Sequence, residues 1–310
     1  MDKNGADKPN KTIEVRVPAS SANLGSGTDC MGIALPIFLT VRFVPAAYTT
    51  ITYTGPQQPP VDLEHDLIYV AMKAVSRAMG KKLPGVSIQV HSDIPLCSGL
   101  GSSAAAIVAG ACGANALLGY PFNTDKLAQI ASIIEGHPDN VVPCLIGGCN
   151  VAMMNSKEVY YQNIELDESL TFIAVTPRYR LPTKIARSAL PRDVSMHSAL
   201  RQLQHGCYLV TLLYTKQYEK LKVACDDSLF TPVRRKIIRG YDAVTSAAMD
   251  RGAYCALISG AGPTILALCG PECDHQDISD SMQEGFTREG LKCTAHIMNA
   301  DNKGAVVTEI

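Results

Sequence analysis

A glycine- and serine-rich run that opens directly into an alanine-rich stretch constrains this chain more than any other feature. It reads Ile94-Pro95-Leu96-Cys97-Ser98-Gly99-Leu100-Gly101-Ser102-Ser103-Ala104-Ala105 and continues through Ala104 to Leu118. Alanine is the best helix former, so the second part is predicted helical, and its short side chains let neighbours pack closely. In the loop, Gly99 and Gly101 permit tight bends and let a ligand touch main-chain N–H groups. Ser102 and Ser103 fall on the first helical turn, where free N–H groups and the positive end of the helix dipole attract anions. A polyphosphate would fit there, and the hydroxyls could reach a Mg²⁺ ion. Glycine and serine content alone favours a plainer reading, a flexible loop before an N-capped helix. The segment is neither a P-loop, since no Gly-Lys-Ser/Thr occurs, nor a dinucleotide fingerprint.

Strands and helices alternate around this segment. Ile13–Val17, Ile37–Val44, Thr50–Tyr53 and Val86–Val90 carry strand patterning, and Pro18 to Asp29 reads as a loop of small residues. Asp66–Met79 and Thr124–Ile134 have helical spacing, with Gly80 as a stop and Asn123 or Thr124 as a start. A second glycine-containing loop covers Glu135–Pro143, closed by Gly147-Gly148. The pattern restarts near residue 165. Strands are expected at Leu170–Thr176, Tyr254–Ser259, Thr264–Cys269 and Lys292–Met298. Helices are expected at Thr183–Leu190, Ser195–Tyr214, Pro232–Met249 and Ile278–Arg288. Interleaved elements of this kind indicate a mixed α and β protein.

Composition excludes several classes. Lys and Arg total 28 against 29 Asp and Glu, so no basic excess exists to neutralise a nucleic-acid backbone. The apolar run Ala104–Gly119 is too short for a bilayer, which needs about 20 residues. Residues 2–11 are polar and read as a disordered leader, not a signal peptide. The eleven cysteines are odd in number and sit largely among Ala, Val, Leu and Gly, which suits small apolar fillers in a reducing cytoplasm.

The whole Ile94–Ala105 string resembles the phosphate-binding signature of the GHMP kinases (the galacto-, homoserine, mevalonate and phosphomevalonate kinases). Pro18–Gly32 resembles that family's N-terminal substrate motif, and Ser259-Gly260-Ala261-Gly262-Pro263-Thr264 its C-terminal glycine motif. Ser21–Gly25 with Asp29–Gly32 is similar to the "SANLGxGFDxxG" segment of the homoserine branch. Glu135–Pro143 is similar to its "EGHPDNVAP" segment, Thr183–Arg187 with Leu190-Pro191 to "TxxxRxxLP", and Pro232-Val233-Arg234 to a later arginine motif. The resemblance spans residue 13 to the end.

The resemblance implies ATP and Mg²⁺, L-homoserine as phosphoryl acceptor, and a homodimer, since family members are often dimers. It implies an α+β protein of two-layer α/β sandwiches. A ribosomal-protein-S5-like domain with a left-handed crossover (12–165) would precede a ferredoxin-like domain (166–310). ATP would contact Asp66 and the loop Pro95, Leu96, Cys97, Ser98, Gly99, Leu100, Gly101, Ser102 and Ser103. Glu135 with Ser102 or Ser103 would hold the metal. A zwitterionic substrate needs an acceptor for its ammonium, for which Asp29 is the candidate. It needs planar donors for its carboxylate, which Arg187 and Arg234 supply. Asn23, His137, Asn140, Thr183 and Gly260 complete the expected site. Asn140 would orient the acceptor hydroxyl, with Asp139 as a fallback base. Taken singly, Arg187 reads as a surface residue, His137 and Asp139 as turn residues, and Asp29 as the cap of a helix from Cys30.

The chain departs from the pattern in three places. Thr28 stands where the branch has Phe, Asp66 leads a segment usually led by Asn, and Cys97-Ser98 replaces Ala-Arg. A mevalonate- or sugar-type kinase and a non-catalytic ATP-binding regulator are the competing readings.

Overall fold

The computed structural model describes residues 11–59, 62–191 and 193–310. The expected leader, apart from Lys11, lies outside them. A long hairpin opens the chain, β1 (Ile13–Leu24) and β2 (Gly27–Pro45). β3 (Thr50–Thr54), α1 (Leu67–Met79) and β4 (Val86–Ser92) follow. Next come α2 (Ser102–Leu117), α3 (Thr124–Glu135), α4 (Val141–Ile146), β5 (Cys149–Asn155) and β6 (Glu158–Ile164). The second half runs β7 (Thr171–Pro177), α5 (Thr183–Ser188), α6 (Met196–Tyr214), α7 (Leu221–Ala224), α8 (Thr231–Arg234) and α9 (Tyr241–Asp250). It closes with β8 (Cys255–Ile258), β9 (Ile265–Cys269), α10 (His275–Arg288), β10 (Cys293–Met298) and β11 (Val306–Glu309).

The first sheet has the order β11-β1-β2-β4-β3, with β5 on β2 and β6 on β5. The nineteen residues of β2 serve two partners on one edge, β4 along Leu39–Pro45 and β5 along Met31–Ile33. The second sheet is antiparallel, ordered β10-β7-β9-β8. Its chain order of strand, helices, two strands, helix and strand gives the ferredoxin-like layout. β11 crosses back to pair with β1, so the chain ends in the first sheet.

Helix α2 is apolar on every side because it is buried on every side. Its small residues set the spacing. A Cβ on Gly110 would lie 2.1 Å from the Ile68 carbonyl of α1, and one on Gly113 would lie 2.2 Å from the Phe43 ring of β2. This clamp holds the N-terminus of α2 in place relative to both sheet and helix.

Two sequence expectations are corrected. Pro18–Asp29 is strand for most of its length, not loop. Ala19, Ser20, Ser21 and Ala22 are fully buried, so no polar–apolar alternation marks them, and register shifts at Pro18/Ala19 and Ala22/Leu24 interrupt the pairing. Pro232–Met249 is not one helix: α8 ends at Arg234, and α9 starts only after Gly240, whose φ of 78° is left-handed.

Candidate active site

The loop between β4 and α2 is pinned from two directions. Ser20 of β1 donates its amide to the Leu100 carbonyl at 3.2 Å. From the β8–β9 turn, the Ser259 hydroxyl donates to the Gly99 carbonyl at 2.8 Å, and the Thr264 amide donates to the Ser98 carbonyl at 3.1 Å. Side chains have no room here. Gly99 and Gly101 have φ of 86° and 67°, and a Cβ would fall 2.1 Å from the Ser259 carbonyl and 2.0 Å from Ser20 Oγ. Three sequence motifs, far apart in the chain, therefore meet at one backbone loop. No side chain caps α2, which leaves its first-turn N–H groups facing the cleft.

Beside that turn, the Ser103 hydroxyl donates to Glu135 Oε1 at 2.6 Å. Burial raises the Glu135 pKa, and the Ser103 hydrogen bond opposes the rise. Glu135 ends α3 because Gly136 adopts a φ of 92°. The chain then turns through His137, Asp139 and Asn140. Asn140 Oδ1 accepts from Ser20 Oγ at 2.9 Å. His137 Nδ1 lies 2.5 Å from Asp139 Oδ1. Burial lowers the His137 pKa, but the Asp139 hydrogen bond and charge and then Glu135 outweigh it, so the net shift is upward. Asp139 is 1% exposed, and its Oδ2 has no hydrogen-bond partner.

The opposite end of the cleft is charged. Asn23 and Asp29 have left-handed φ of 59° and 56°, which Asn and Asp tolerate better than most residues. Asn23 Oδ1 accepts the Asp29 amide at 2.9 Å. Cys30 lies inside β2, so Asp29 caps no helix. From α5, Arg187 donates to Asp29 Oδ1 at 3.1 Å, with both side chains about half exposed. Arg234 of α8 is 4% exposed. It donates to the Gly260 carbonyl at 3.0 Å, its Nε has no partner, and burial lowers its pKa.

One cleft of about 290 Å³ joins these ends. Asn23, Asp66, Leu96 to Ser103, Glu135, His137, Asn140, Thr183, Arg187, Arg234 and Gly260 all line it. Family profiles match both halves of the chain, "GHMP kinases N terminal domain" over residues 66–148 and "GHMP kinases C terminal" over 209–288. Over 300 residues the chain is 36% identical to a homoserine kinase of Clostridium beijerinckii, covering 96% of this chain and 99% of that one.

The chain belongs to the GHMP kinase family.

A homoserine kinase of Microchaete diplosiphon is 38% identical over 297 residues, covering 95% of this chain and 96% of the relative. The crystal structure of homoserine kinase from Cytophaga hutchinsonii superposes with a TM-score of 0.88 at 29% identity, covering 97% and 99% of the two chains. A GHMP kinase of this kind is an ATP-dependent enzyme that phosphorylates a hydroxyl.

Within this GHMP kinase, three of the expected residues stand outside the cleft lining. Pro95 lies beneath the loop, its carbonyl accepting from Ser98 Oγ at 2.8 Å. Asp29 sits at the mouth, holding Arg187. Asp139 lies behind His137 and Asn140. Asp66 does line the cleft, yet its carboxylate is engaged. One oxygen accepts the Ile68 amide at 2.9 Å as the cap of α1, and the other accepts the Tyr53 hydroxyl. Each oxygen keeps a second lone pair, so the adenine contact expected of Asp66 stays available. Ser20 and Ser259 were not singled out by sequence. Both are fully buried serines that tie the loop to its partners, and a serine among small residues gives no sign of which bond it makes.

Proposed function

We propose that the protein transfers the γ-phosphoryl of ATP to the side-chain hydroxyl of L-homoserine, giving O-phospho-L-homoserine and ADP. The observation that carries this reading is Arg234. It is a buried guanidinium with an unpartnered Nε, set in the same cleft as Arg187. An arginine kept this dry is costly unless an anion completes it. An α-carboxylate between the two guanidiniums does so, and Asp29 accepts the adjacent ammonium. The polyphosphate lies along Ser98–Ser103 at the N-terminus of α2.

The residues present fit Mg²⁺. Glu135 and the Ser102 and Ser103 hydroxyls are hard oxygen donors beside the polyphosphate site. Among the described residues, no cluster of three Asp, Glu, His or Cys side chains forms a closed metal cage. Mg²⁺ characteristically takes one or two carboxylates with substrate phosphates. When bound, it neutralises charge building on the phosphoryl oxygens.

Phosphoryl transfer asks for alignment more than covalent help. Asn140 orients the acceptor hydroxyl, a role that its hydrogen bond from Ser20 supports. Asp139 acts as a positioning residue through His137. Asp139→Asn should therefore keep kcat within about tenfold, because losing a general base costs about 10²–10⁴. The same variant should lower the His137 pKa in an NMR titration. A raised histidine pKa adds stability below about pH 6.5, the ordinary value, and that stability is lost as pH rises through the folded value. The Tm gap between wild type and Asp139→Asn should accordingly be widest in acid. A hundredfold fall in kcat would restore Asp139 as the base.

Arg187→Ala should raise KM for L-homoserine by roughly tenfold, as expected for a half-exposed charged hydrogen bond of about 1.5 kcal/mol, without changing KM for ATP. The direct test is ADP release with L-homoserine, mevalonate and galactose in parallel. Faster turnover of either non-amino acid would overturn the assignment in favour of another GHMP activity.

The proposal extends to two domains, 12–165 and 166–310, meeting at the cleft, with the last strand β11 of the second returning to the sheet of the first, and to a homodimer, which sedimentation would test. The compartment proposed is a reducing cytoplasm, which cysteines packed as small apolar fillers suit.

A further inference from the structure

A second cavity, of about 910 Å³, opens between α6, α7, α9 and β8. Cys225 and Cys255 both line it, and their Sγ atoms lie 3.3 Å apart. Cys225 is half-buried, while Cys255 is 4% exposed. Arg201, His205 and Lys222 stand on the same walls. Asp226 pairs with Arg201. Asp227 is occupied in the loop before α8, accepting the amides of Leu229, Phe230 and Thr231.

The segment bearing Cys225 supports the amino-acid end of the cleft on two sides. Ser26, in the β1–β2 turn, donates to the Ala224 carbonyl at 2.8 Å, and Gln202 donates to the Ser26 carbonyl at 3.1 Å. A Cβ on Gly25 would lie 2.7 Å from Cys225 Cα, so this turn and the Cys225 backbone are in direct contact. That turn presents Asn23 and Asp29. Two residues beyond Cys225, the Asp227 carboxylate accepts the amide of Thr231, the first residue of α8, which carries Arg234.

We propose that Cys225 and Cys255 form a reversible disulfide, made by exchange with an oxidised low-molecular-weight thiol, that loosens the amino-acid end of the active cleft. The Cys225 thiolate attacks one sulfur of the small disulfide, forming a mixed disulfide and releasing one thiolate. Cys255 gives up its proton and attacks the Cys225 sulfur, and the second thiolate leaves. The protein loses two electrons and two protons, and the small disulfide becomes two thiols. Contact with Cys225 and then burial push the Cys255 thiol upward, so it stays protonated while Cys225 reacts first. Bond formation draws the sulfurs about 1.3 Å together, and the shift passes through Ala224–Asp227 to the turn and to α8. The effect on the cleft rests on the amino-acid kinase reading; the disulfide does not.

The test equilibrates intact protein in glutathione buffers of stepped oxidised-to-reduced ratio. Free thiols are then alkylated, the peptides are mapped by mass spectrometry, and the same samples are assayed. A Cys225–Cys255 linked peptide should appear, and dithiothreitol should reverse it. KM for L-homoserine should rise about fivefold or more, the lower range of coupling between sites, with KM for ATP changed by less than about twofold. Cys225→Ala and Cys255→Ala should each abolish the linked peptide and the response. Glutathione adducts on the exposed Cys97 or Cys207 alone would overturn the proposal. A linked peptide with unchanged KM would overturn the coupling. Because the mapping needs no substrate, its result stands apart from the identity of the acceptor.

Discussion

Replacing Arg234 by methionine is expected to raise KM for L-homoserine roughly a hundred- to a thousandfold, the equivalent of about 3–4 kcal/mol, without lowering Tm. The two halves of this expectation have one cause. Arg234 is desolvated, its pKa is lowered by burial, and its Nε has no partner in the folded protein. A base whose folded pKa is depressed subtracts stability at every pH below that value. Methionine fills much of the same volume and keeps apolar contact with Phe230, over whose ring the guanidinium lies at 5.7 Å. The variant loses a costly charge and little packing, while an incoming carboxylate loses its planar donor. Removing one partner of a buried charge pair costs about 2–5 kcal/mol, more than the exposed Arg187 contributes. Calorimetry with and without L-homoserine checks both halves. A lower Tm with an unchanged KM would make Arg234 a purely structural residue.

Local periodicity displayed much of this fold. The helices from Leu67, Ser102 and Thr124, and the strands of the second sheet, follow from spacing, caps and glycine stops. What stayed hidden was set by long-range packing. Ala19–Ala22 is a strand because α2 and the β8–β9 turn cover both its faces, and small residues without alternation give no strand signal. Arg234 looked like part of a long helix, but the chain breaks beyond it and buries it against Gly260. The charged site residues could be named only jointly, by their order along the chain. Their sharing of one cleft came from loop geometry, and so did the bonds that Ile68 and Tyr53 donate to Asp66. Asp139 carried the residue type of a base, but its depth behind His137 is a property of the Glu135–Asn140 turn.

Substituting glutamine for Glu135 is expected to lower kcat by about 10²–10³, the usual loss when one charge-stabilising group at a reacting centre is removed. Glutamine can still accept the Ser103 hydroxyl, so the loop geometry survives and the change is one of charge. The folded protein then reports the charge in a second way. Burial raises the Glu135 pKa, so the ionised side chain costs stability. That cost is absent below the ordinary carboxylate value of about 4.3 and grows as pH rises through the folded value. Glu135→Gln should match or exceed the wild-type Tm at pH 7, and the difference should vanish near pH 4. Nucleotide binding gives the decisive comparison, because the sign inverts with the metal. In EDTA, a bare carboxylate beside the polyphosphate repels it, so the variant should bind ATP more tightly than wild type. With the proposed metal role the carboxylate would be a ligand in saturating Mg²⁺, so the variant should bind more weakly and need more Mg²⁺ for half-maximal activity. If the substitution shifted ATP affinity in the same direction under both conditions, Glu135 would be acting on the phosphates alone, and the metal site would have to be sought elsewhere in the cleft.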